Sequence, residues 1–451
     1  MKIHFIGIGG IGVSALAQYY LAKRHTVSGS DLRASEITEQ LQAQGITIST
    51  GDPNPSLVTQ DIDLVVFSPA IPENHAERQA ALRQGIEQLS YPQALGRLTR
   101  EHTTITVSGC HGKSTTTSMI GILLAKARLN PTVIVGTKVK EFESSNFRMG
   151  GYPDTKYKIQ DTKYLVIEAD EHFGSFLNYN PTIAVVTNIE RDHLDYYKTL
   201  GNIKETFKTF IAKLPKEGTL VINKDDAEAK TIVPKKHPYK TTWYTTKGKD
   251  AKALAPIMRL PGQHNLSNAM ATLQVARILN IPDKVSFTAL SAYQGSWRRF
   301  EIFSLKNPKP YTLISDYGHH PTEVRVTVQA AREKWPAKKI WLVFQPHQYQ
   351  RTYYLWKDFV QVLSTLPVEK LILLDIYDVA GREETSIKKK VSSEKLAKAI
   401  DALYSPTIQQ VEHYLQRNLQ GGEIVMVMGA GDIYNLTLAL TREHPKGKIQ
   451  V

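Results

Sequence analysis

The sequence predicts an α/β protein of three domains with mainly parallel sheets. Three observations carry that expectation. Strand-like apolar runs alternate with helical patterns along the whole chain, as they do where helices flank parallel sheets. The runs fall into three groups, separated near Leu98–His102 and near Ser296–Arg299. A length of 451 residues also exceeds what one ordinary core organises. The expected domains are therefore residues 1–99, 100–296 and 297–451.

Composition narrows the class. Hydrophobic residues are 41% and charged residues 22%, a globular balance and not a disordered one. The single cysteine, Cys110, excludes an intramolecular disulfide and suits a reducing compartment. A net charge of +13 is compatible with anionic partners. The short basic runs Lys235-Lys236 and Lys388 to Lys390 lack interleaved aromatics, so they read as solvated faces and no nucleic-acid partner is expected. The start of the chain superficially resembles a secretory leader, but His4 and the glycines at 7, 9, 10 and 12 disfavour an apolar helix there. No apolar run is long enough to span a bilayer, so membrane insertion is not expected and a cytoplasmic protein is. Oligomeric state is not legible.

The first group comprises Lys2–Ile6, Thr26–Ser28, Thr47–Ser49 and Leu64–Phe67. Its first strand runs into Gly7-Ile-Gly-Gly-Ile-Gly12 and then a helical pattern, the setting that GxGxxG requires. Gly7, Gly9, Gly10 and Gly12 let a backbone approach a diphosphate at a helix N-terminus. Asp31 ends the second strand, where an acid can meet a ribose hydroxyl, and Ser68 follows the fourth. A Rossmann-like domain follows. Its ligand is a diphosphate flanked by sugars, which NAD and a UDP-sugar satisfy equally; a tight turn without a ligand is the bland alternative.

The second group comprises Thr104–Ser108, Tyr164–Glu168, Ile183–Thr187 and Leu220–Asn223. After its first strand comes Gly109-Cys-His-Gly-Lys-Ser-Thr115, with a Gly-Lys-Ser-Thr core like that of a P-loop. Backbone amides surround phosphates in such a loop, Lys113 reaches the β- and γ-phosphates, and the Ser114 hydroxyl can hold Mg²⁺. Ser108 stands where the strict pattern has glycine. Glu168 closes a later strand at the edge where α/β sites lie. Another strand end carries Asn188-Ile-Glu-Arg-Asp-His193. Oxygen donors suit Mg²⁺, with His193 an unusual further ligand. For Asp170, Glu171, Glu190, Asp192 and Asp195 the alternative is merely solvated loop charges.

The third group comprises Thr312–Ser315, Lys339–Phe344, Leu371–Leu374 and Ile424–Met428. Tyr317, His319, His347 and Arg351 follow two of these strand ends, which face one crevice in a parallel sheet. The Arg351 guanidinium suits an amino-acid carboxylate, and the other three can close the space beyond a methyl group. The plainer alternative has Tyr317 and His319 capping the strand and Arg351 in a surface ion pair.

Taken in order, these elements resemble the Mur ligases over essentially the whole chain. They are joined by Gly262-Gln-His-Asn-Leu-Ser-Asn268, Arg298-Arg-Phe300, Asp316-Tyr-Gly-His-His-Pro-Thr-Glu323 and Phe344-Gln-Pro-His347. The last two place the resemblance nearest the branch that adds L-alanine to the carboxylate of UDP-N-acetylmuramate in peptidoglycan precursor synthesis. The branch that attaches a whole murein peptide is the alternative. A nicotinamide oxidoreductase, suggested by the glycine turn, leaves the P-loop unexplained.

The resemblance implies a UDP-sugar domain, a central P-loop ATPase domain and a Rossmann-like amino-acid domain, with ATP and Mg²⁺ required. It implies that Gly109, His111, Gly112, Lys113, Ser114 and Thr115 hold ATP phosphates, with Lys113, Glu168 and His193 catalytic. Ser114, Glu168 and His193 would hold Mg²⁺. His264, Asn265 and Asn268 would meet the nucleotide end of ATP, and Arg299 and Asp316 its phosphates and ribose. Cys110, Ser114, His172-Phe173 and Gln348 depart from the family's usual residues. A carbamylated lysine, used by some Mur ligases, is not assignable among Lys198, Lys204 and Lys208. The base for the amine stays open among His193, His319 and His347.

Overall fold

Each of the three strand groups forms its own sheet in the computed structural model, which describes residues 1–154, 158–160, 163–379 and 384–442. The first sheet has β1 (Lys2–Ile6), β2 (Thr26–Asp31), β3 (Thr47–Thr50), β4 (Leu64–Phe67) and β5 (Glu87–Ser90), in the order β3-β2-β1-β4-β5. All its pairings are parallel. Strand β5 was not expected, because Leu89 is its only fully covered residue. Helices α1 (Ile11–Ala22), α2 (Glu36–Ala43), α3 (Ala76–Arg83) and α4 (Tyr91–Glu101) connect or follow these strands. Ile6, Val58, Val65, Ala80 and Ala81 form a core between sheet and α3.

The second sheet is larger than the sequence suggested. It contains β6 (Thr103–Ser108), β7 (Thr132–Val139), β8 (Ser145–Arg148), β11 (Tyr164–Glu168), β12 (Ile183–Val186), β13 (Thr219–Asn223) and β14 (Lys240–Tyr244). Their order is β14-β13-β12-β6-β11-β7-β8, and only β8 runs antiparallel. A separate hairpin pairs β9 (Tyr152–Asp154) with β10 (Lys158–Gln160). Gly136 and Lys138 interrupt β7 as an apolar pattern, yet Lys138 is buried and its ammonium meets Glu36 at 2.7 Å. Helix α5 (Lys113–Lys126) is buried continuously from Ser114 to Leu124, which explains its small and apolar composition.

The third sheet contains β15 (Glu301–Leu305), β16 (Tyr311–Asp316), β17 (Ile340–Phe344), β18 (Lys370–Leu373), β19 (Leu403–Tyr404) and β20 (Ile424–Met428). Its order is β15-β16-β20-β17-β18-β19, with β15 the antiparallel edge. Strands β16 and β17 flank β20, so their C-terminal ends open on the same side. Leu313, Val343, Val425 and Val427 pack with Val411, Leu415 and Leu436 of the covering helices.

The chain forms two compact units. One holds the first two sheets; the other holds the third sheet together with Ile189–Lys204 and Thr245–Met270. No helix among the described residues is long and apolar enough to cross a membrane.

Candidate active site

In the first unit, the glycine turn is shaped by its neighbours. The amides of Gly7 and Ile8 donate to the Ser30 carbonyl at 2.8 and 3.1 Å. Gly7 has φ +77°, and a Cβ there would stand 3.0 Å from the Ser68 Cβ, so Ser68 does line the turn. Asp31 accepts the Gly9 N–H at 2.8 Å through Oδ2. That bond orders the turn, a use of Asp31 that the ribose expectation left out. Gly10 is the N-cap of α1. At Gly12 the lack of a side chain also serves the fold itself. A Cβ there would lie 2.8 Å from Cζ and 2.9 Å from the hydroxyl oxygen of Tyr91, so the glycine makes room for an aromatic ring of the same protein.

The P-loop also lies in the first unit. Gly109 has φ +127° and Gly112 φ +81°, both in the region that favours glycine. A Cβ on Gly109 would be 2.2 Å from Thr187 Oγ1 and 2.9 Å from the Asn188 carbonyl oxygen. Asn188 closes the loop from beside β12: its Oδ1 accepts the His111 N–H at 2.9 Å, and its carbonyl accepts the Cys110 N–H at 3.2 Å. These two amides are therefore turned to the protein. The remaining donors are the first-turn amides of α5, from Lys113, Ser114 and Thr115, which have no partner within their helix and meet the positive end of its dipole.

Lys113 is not a free cation. Its Nζ lies 3.0 and 2.9 Å from the two Glu171 oxygens and 3.5 Å from Asp170 Oδ1. Burial lowers its pKa, but the Glu171 and Asp170 charges outweigh burial and hold it well above the usual lysine value. Glu171 is fully buried, which corrects the reading of it as a solvated loop charge. Ser114 donates its hydroxyl to Glu168 Oε1 at 3.1 Å, while Glu168 Oε2 accepts the Gly136 N–H at 2.8 Å. Two hard oxygen donors in contact beside a phosphate-binding helix start fit a small divalent cation such as Mg²⁺.

His193 belongs to the second unit, at φ +50° just before the short helix Leu194–Tyr197. Its neighbour Asp192 is buried, which removes the alternative of a solvated loop charge there as well. Asp192 Oδ1 accepts from Arg351 Nε at 3.0 Å, and the two side chains are 5% and 6% exposed. Burial raises the Asp192 pKa, but Arg351 and the nearby imidazoles pull it well below the carboxylate range. Neither the free fork nor the surface ion pair describes Arg351 fully. It is a buried pair whose Nη1 also reaches Gln348 Oε1 at 3.1 Å, while Nη2 has no hydrogen-bond partner among the described residues.

Tyr317, His319 and His347 come together beside it, with ring centroids 5.5 Å apart for Tyr317–His319 and 5.6 Å for His319–His347. Tyr377, not foreseen, stacks on His347 at 5.4 Å. Burial, reinforced by Arg351, pushes His319 down to about 3. Burial, with His319 and Arg351, pushes His347 down to about 2. Both rings are neutral at physiological pH.

Asp316 is also placed by backbone. It accepts from Phe300 N at 2.8 Å and Gly318 N at 2.7 Å, and burial pushes its pKa up to about 6. Arg299 lies over the Tyr317 ring at 5.0 Å and 3.8 Å from Glu323. Glu323 in turn accepts the His319 and His320 N–H groups. His264 is buried, its pKa lowered to about 4 by burial, and its Nδ1 has no hydrogen-bond partner among the described residues. An orphaned, neutral ring nitrogen fits a neutral heterocyclic ligand. Asn265 donates to the Pro261 carbonyl at 2.8 Å, and Asn268 is buried. Of the lysines considered for carbamylation, Lys198 is exposed and bonded to the Asp195 carbonyl, and Lys208 pairs with Glu205 at 2.8 Å.

Asn188, Glu171, Asp192 and Tyr377 were not singled out as site residues from the sequence. Asn188 had a usable signal, its place directly after a buried strand pointing to the phosphate loop's sheet edge. The others are defined by contacts distant in sequence.

Three family models match the chain in order. The Mur ligase family catalytic domain matches residues 2–103, the Mur ligase middle domain 107–276, and the Mur ligase glutamate ligase domain 298–431. The chain belongs to the Mur ligase family. The UDP-N-acetylmuramate–L-alanine ligase of Acetivibrio thermocellus is 35% identical over 460 residues, covering 96% of this chain and 94% of the relative. That of Pelobacter propionicus is 37% identical, covering 97% of each. The crystal structure of UDP-N-acetylmuramate–alanine ligase from Thermotoga maritima superposes with a TM-score of 0.79 at 25% identity, covering 99% of this chain and all (100%) of that one. A murein peptide ligase from Psychrobacter arcticus shares the fold, with a TM-score of 0.72 at 21% identity over 100% of each chain.

Proposed function

We propose that this chain is an ATP-dependent ligase that joins L-alanine to the lactyl carboxylate of UDP-N-acetylmuramate in the cytoplasm. The observation that carries the reading is a P-loop whose Ser114 and Lys113 each meet an acid of the β11 end, in a chain matched along 96% of its length by ligases of that name. The three domains are proposed to divide near residues 99 and 296, for UDP-sugar, ATP and amino acid respectively.

In this reading Gly7, Gly9, Gly10, Gly12, Asp31 and Ser68 form the UDP-sugar turn. Gly109, His111, Gly112, Lys113, Ser114 and Thr115 cradle the ATP phosphates; His264, Asn265, Asn268, Arg299 and Asp316 take the rest of the nucleotide. Ser114, Glu168 and His193 would hold Mg²⁺, which when bound neutralises charge on the transferring phosphoryl group. A lactyl carboxylate oxygen attacks the γ-phosphorus, the bond to ADP breaks, and an acyl phosphate forms. Charge builds on the equatorial oxygens, where Lys113 and the α5 amides stabilise it. The alanine amine then attacks the acyl carbon and phosphate leaves.

Tyr317, His319, His347 and Arg351 are assigned to alanine, with Arg351 Nη2 the donor still open to its carboxylate. The ammonium must lose a proton before attack. Imidazoles at about 3 and about 2 cannot retain that proton at neutral pH, so His319 and His347 shape the pocket instead.

The deciding assay incubates the protein with ATP, Mg²⁺ and UDP-N-acetylmuramate, offering L-alanine, glycine, L-serine or a murein tripeptide in parallel. ADP release together with the alanyl product mass supports the reading. A product only with the tripeptide would assign the chain to the peptide-attaching branch.

A further inference from the structure

We propose that Gly136, in β7, is a positioning residue for the cation site: its amide and its missing side chain together hold the Glu168 carboxylate with one oxygen turned to Ser114. The inference rests on the reading of Glu168 as a Mg²⁺ ligand and adds a residue that lies outside every motif of the sequence. All three residues belong to the first unit.

The pairing of β7 with β11 stops at Ile134, opposite Ile167. The register between β7 and β8 shifts between Ile134 and Val139. Gly136 falls in that gap, and its N–H turns to a side chain, donating to Glu168 Oε2 at 2.8 Å. Glu168 Oε1 accepts from the Ser114 hydroxyl at 3.1 Å. Each carboxylate oxygen therefore has its own partner, and the group is held from both sides. The Ser114 bond must open for Oε1 and the hydroxyl oxygen to meet a cation together. The Gly136 bond is then the one that still fixes the carboxylate.

The missing side chain points the same way. Gly136 is not among the glycines with positive φ, so its backbone does not demand glycine. Glycine inside a strand weakens it, having more freedom to lose and nothing to pack, and it often marks a close approach by another group. The three heavy atoms nearest to a Cβ built there are Glu168 Oε2 at 2.8 Å, Cδ at 3.1 Å and Oε1 at 3.1 Å. All three belong to one carboxyl group and none is backbone. A methyl at this point would therefore push aside the free end of a flexible side chain. That costs the fold little, but it moves both ligand oxygens.

The test is Gly136→Ala in the full-length protein, alone and combined with Glu168→Gln. Thermal melting should match the wild type. Calorimetric affinity for ADP in excess chelator should also stay close to the wild-type value, because Lys113 and the α5 amides are untouched. The Mg²⁺ concentration that half-restores tight ADP binding should rise by about tenfold to a hundredfold, the usual effect of removing a contact that orients a metal ligand. Glu168→Gln should shift that concentration in the same direction. Adding Gly136→Ala to Glu168→Gln should then do far less than Gly136→Ala does alone, because the glycine acts through that carboxylate. An unchanged Mg²⁺ titration in Gly136→Ala beside a shifted one in Glu168→Gln would overturn the role of Gly136 alone. A full additive shift in the double variant would overturn it too, since the glycine would then act elsewhere. So would a clearly lowered melting temperature in Gly136→Ala, since the methyl would then strain the strand and not the carboxylate. An unshifted titration in Glu168→Gln would remove the Mg²⁺-ligand reading itself, and the proposal with it.

Discussion

Replacing Arg351 with alanine should destabilise the protein before it says anything about alanine binding. Asp192 Oδ1 and Arg351 Nε are 3.0 Å apart, with side chains 5% and 6% exposed. Removing Arg351 takes from the buried Asp192 carboxylate its hydrogen-bonded guanidinium, the largest of the charges that hold its pKa down. Breaking such a pair costs about 3–5 kcal/mol, whereas replacing both partners with apolar or neutral groups is often nearly neutral. Urea unfolding of Arg351→Ala, Asp192→Asn and Arg351→Met/Asp192→Asn therefore forms a cycle. Arg351→Ala should lose about 3–5 kcal/mol, and the double variant should recover most of it. Alanine kinetics are then read in the double variant, where the fold is restored and the guanidinium is gone. A raised KM for L-alanine there assigns the open Nη2 edge to the substrate. A loss under about 1 kcal/mol in Arg351→Ala would refute the burial argument, because surface pairs cost that little.

The same reasoning applies to Lys113. Lys113→Ala should lower turnover by about 10²–10³-fold or more and also destabilise the fold by stranding Glu171; Lys113→Ala/Glu171→Gln should recover stability in urea without recovering turnover. Gly12→Ala places a methyl within 2.8 Å of the Tyr91 ring, so it should cost about 1–3 kcal/mol despite alanine's better helix propensity, and Tyr91→Ala should relieve that cost. Asp316 sits at about 6 folded against its ordinary 3.8, so the folded state binds its proton more tightly and stability should fall as pH rises from about 4 to about 6. Asp316→Asn should flatten that slope in urea midpoints taken across the window; an unchanged slope removes Asp316 as its source. Glu168→Gln should raise the Mg²⁺ requirement for turnover more than His193→Ala, because it removes a charged oxygen ligand; equal titrations would leave both residues structural.

The sheets and the two glycine loops were legible because their signals are local. An apolar run ending in a glycine cluster and followed by a helix needs no partner to be read. The misses share one cause. Strands β5 and β14 are edge strands with few buried residues, so they carry little periodicity. Glu171 and Asp192 look like loop charges in the sequence, and only Lys113 and Arg351, 58 and 159 residues away, make them buried partners. The sequence singles out Gly12 for its lack of a side chain, and the fold adds a neighbour it does not show, the Tyr91 ring. The conformational need is local and legible, whereas the atom that imposes it comes from the tertiary fold.

The charge balance of the P-loop edge bears on the cation requirement. One ammonium, Lys113, faces Glu171 and Asp170, and Ser114 faces Glu168. Lys113 is thus shared with acids of its own loop edge, and Glu168 adds a carboxylate that a polyphosphate must approach, against which the α5 dipole supplies about half a charge. A divalent cation bonded to the Ser114 and Glu168 oxygens would supply two positive charges where the γ-phosphate must come. ATP affinity should therefore depend steeply on divalent cation, and the dependence should weaken in Glu168→Gln even as turnover falls. If calorimetry finds ATP bound equally well in excess chelator, then Lys113 and the helix amides suffice for binding, and Glu168 would matter only once charge moves in the transition state.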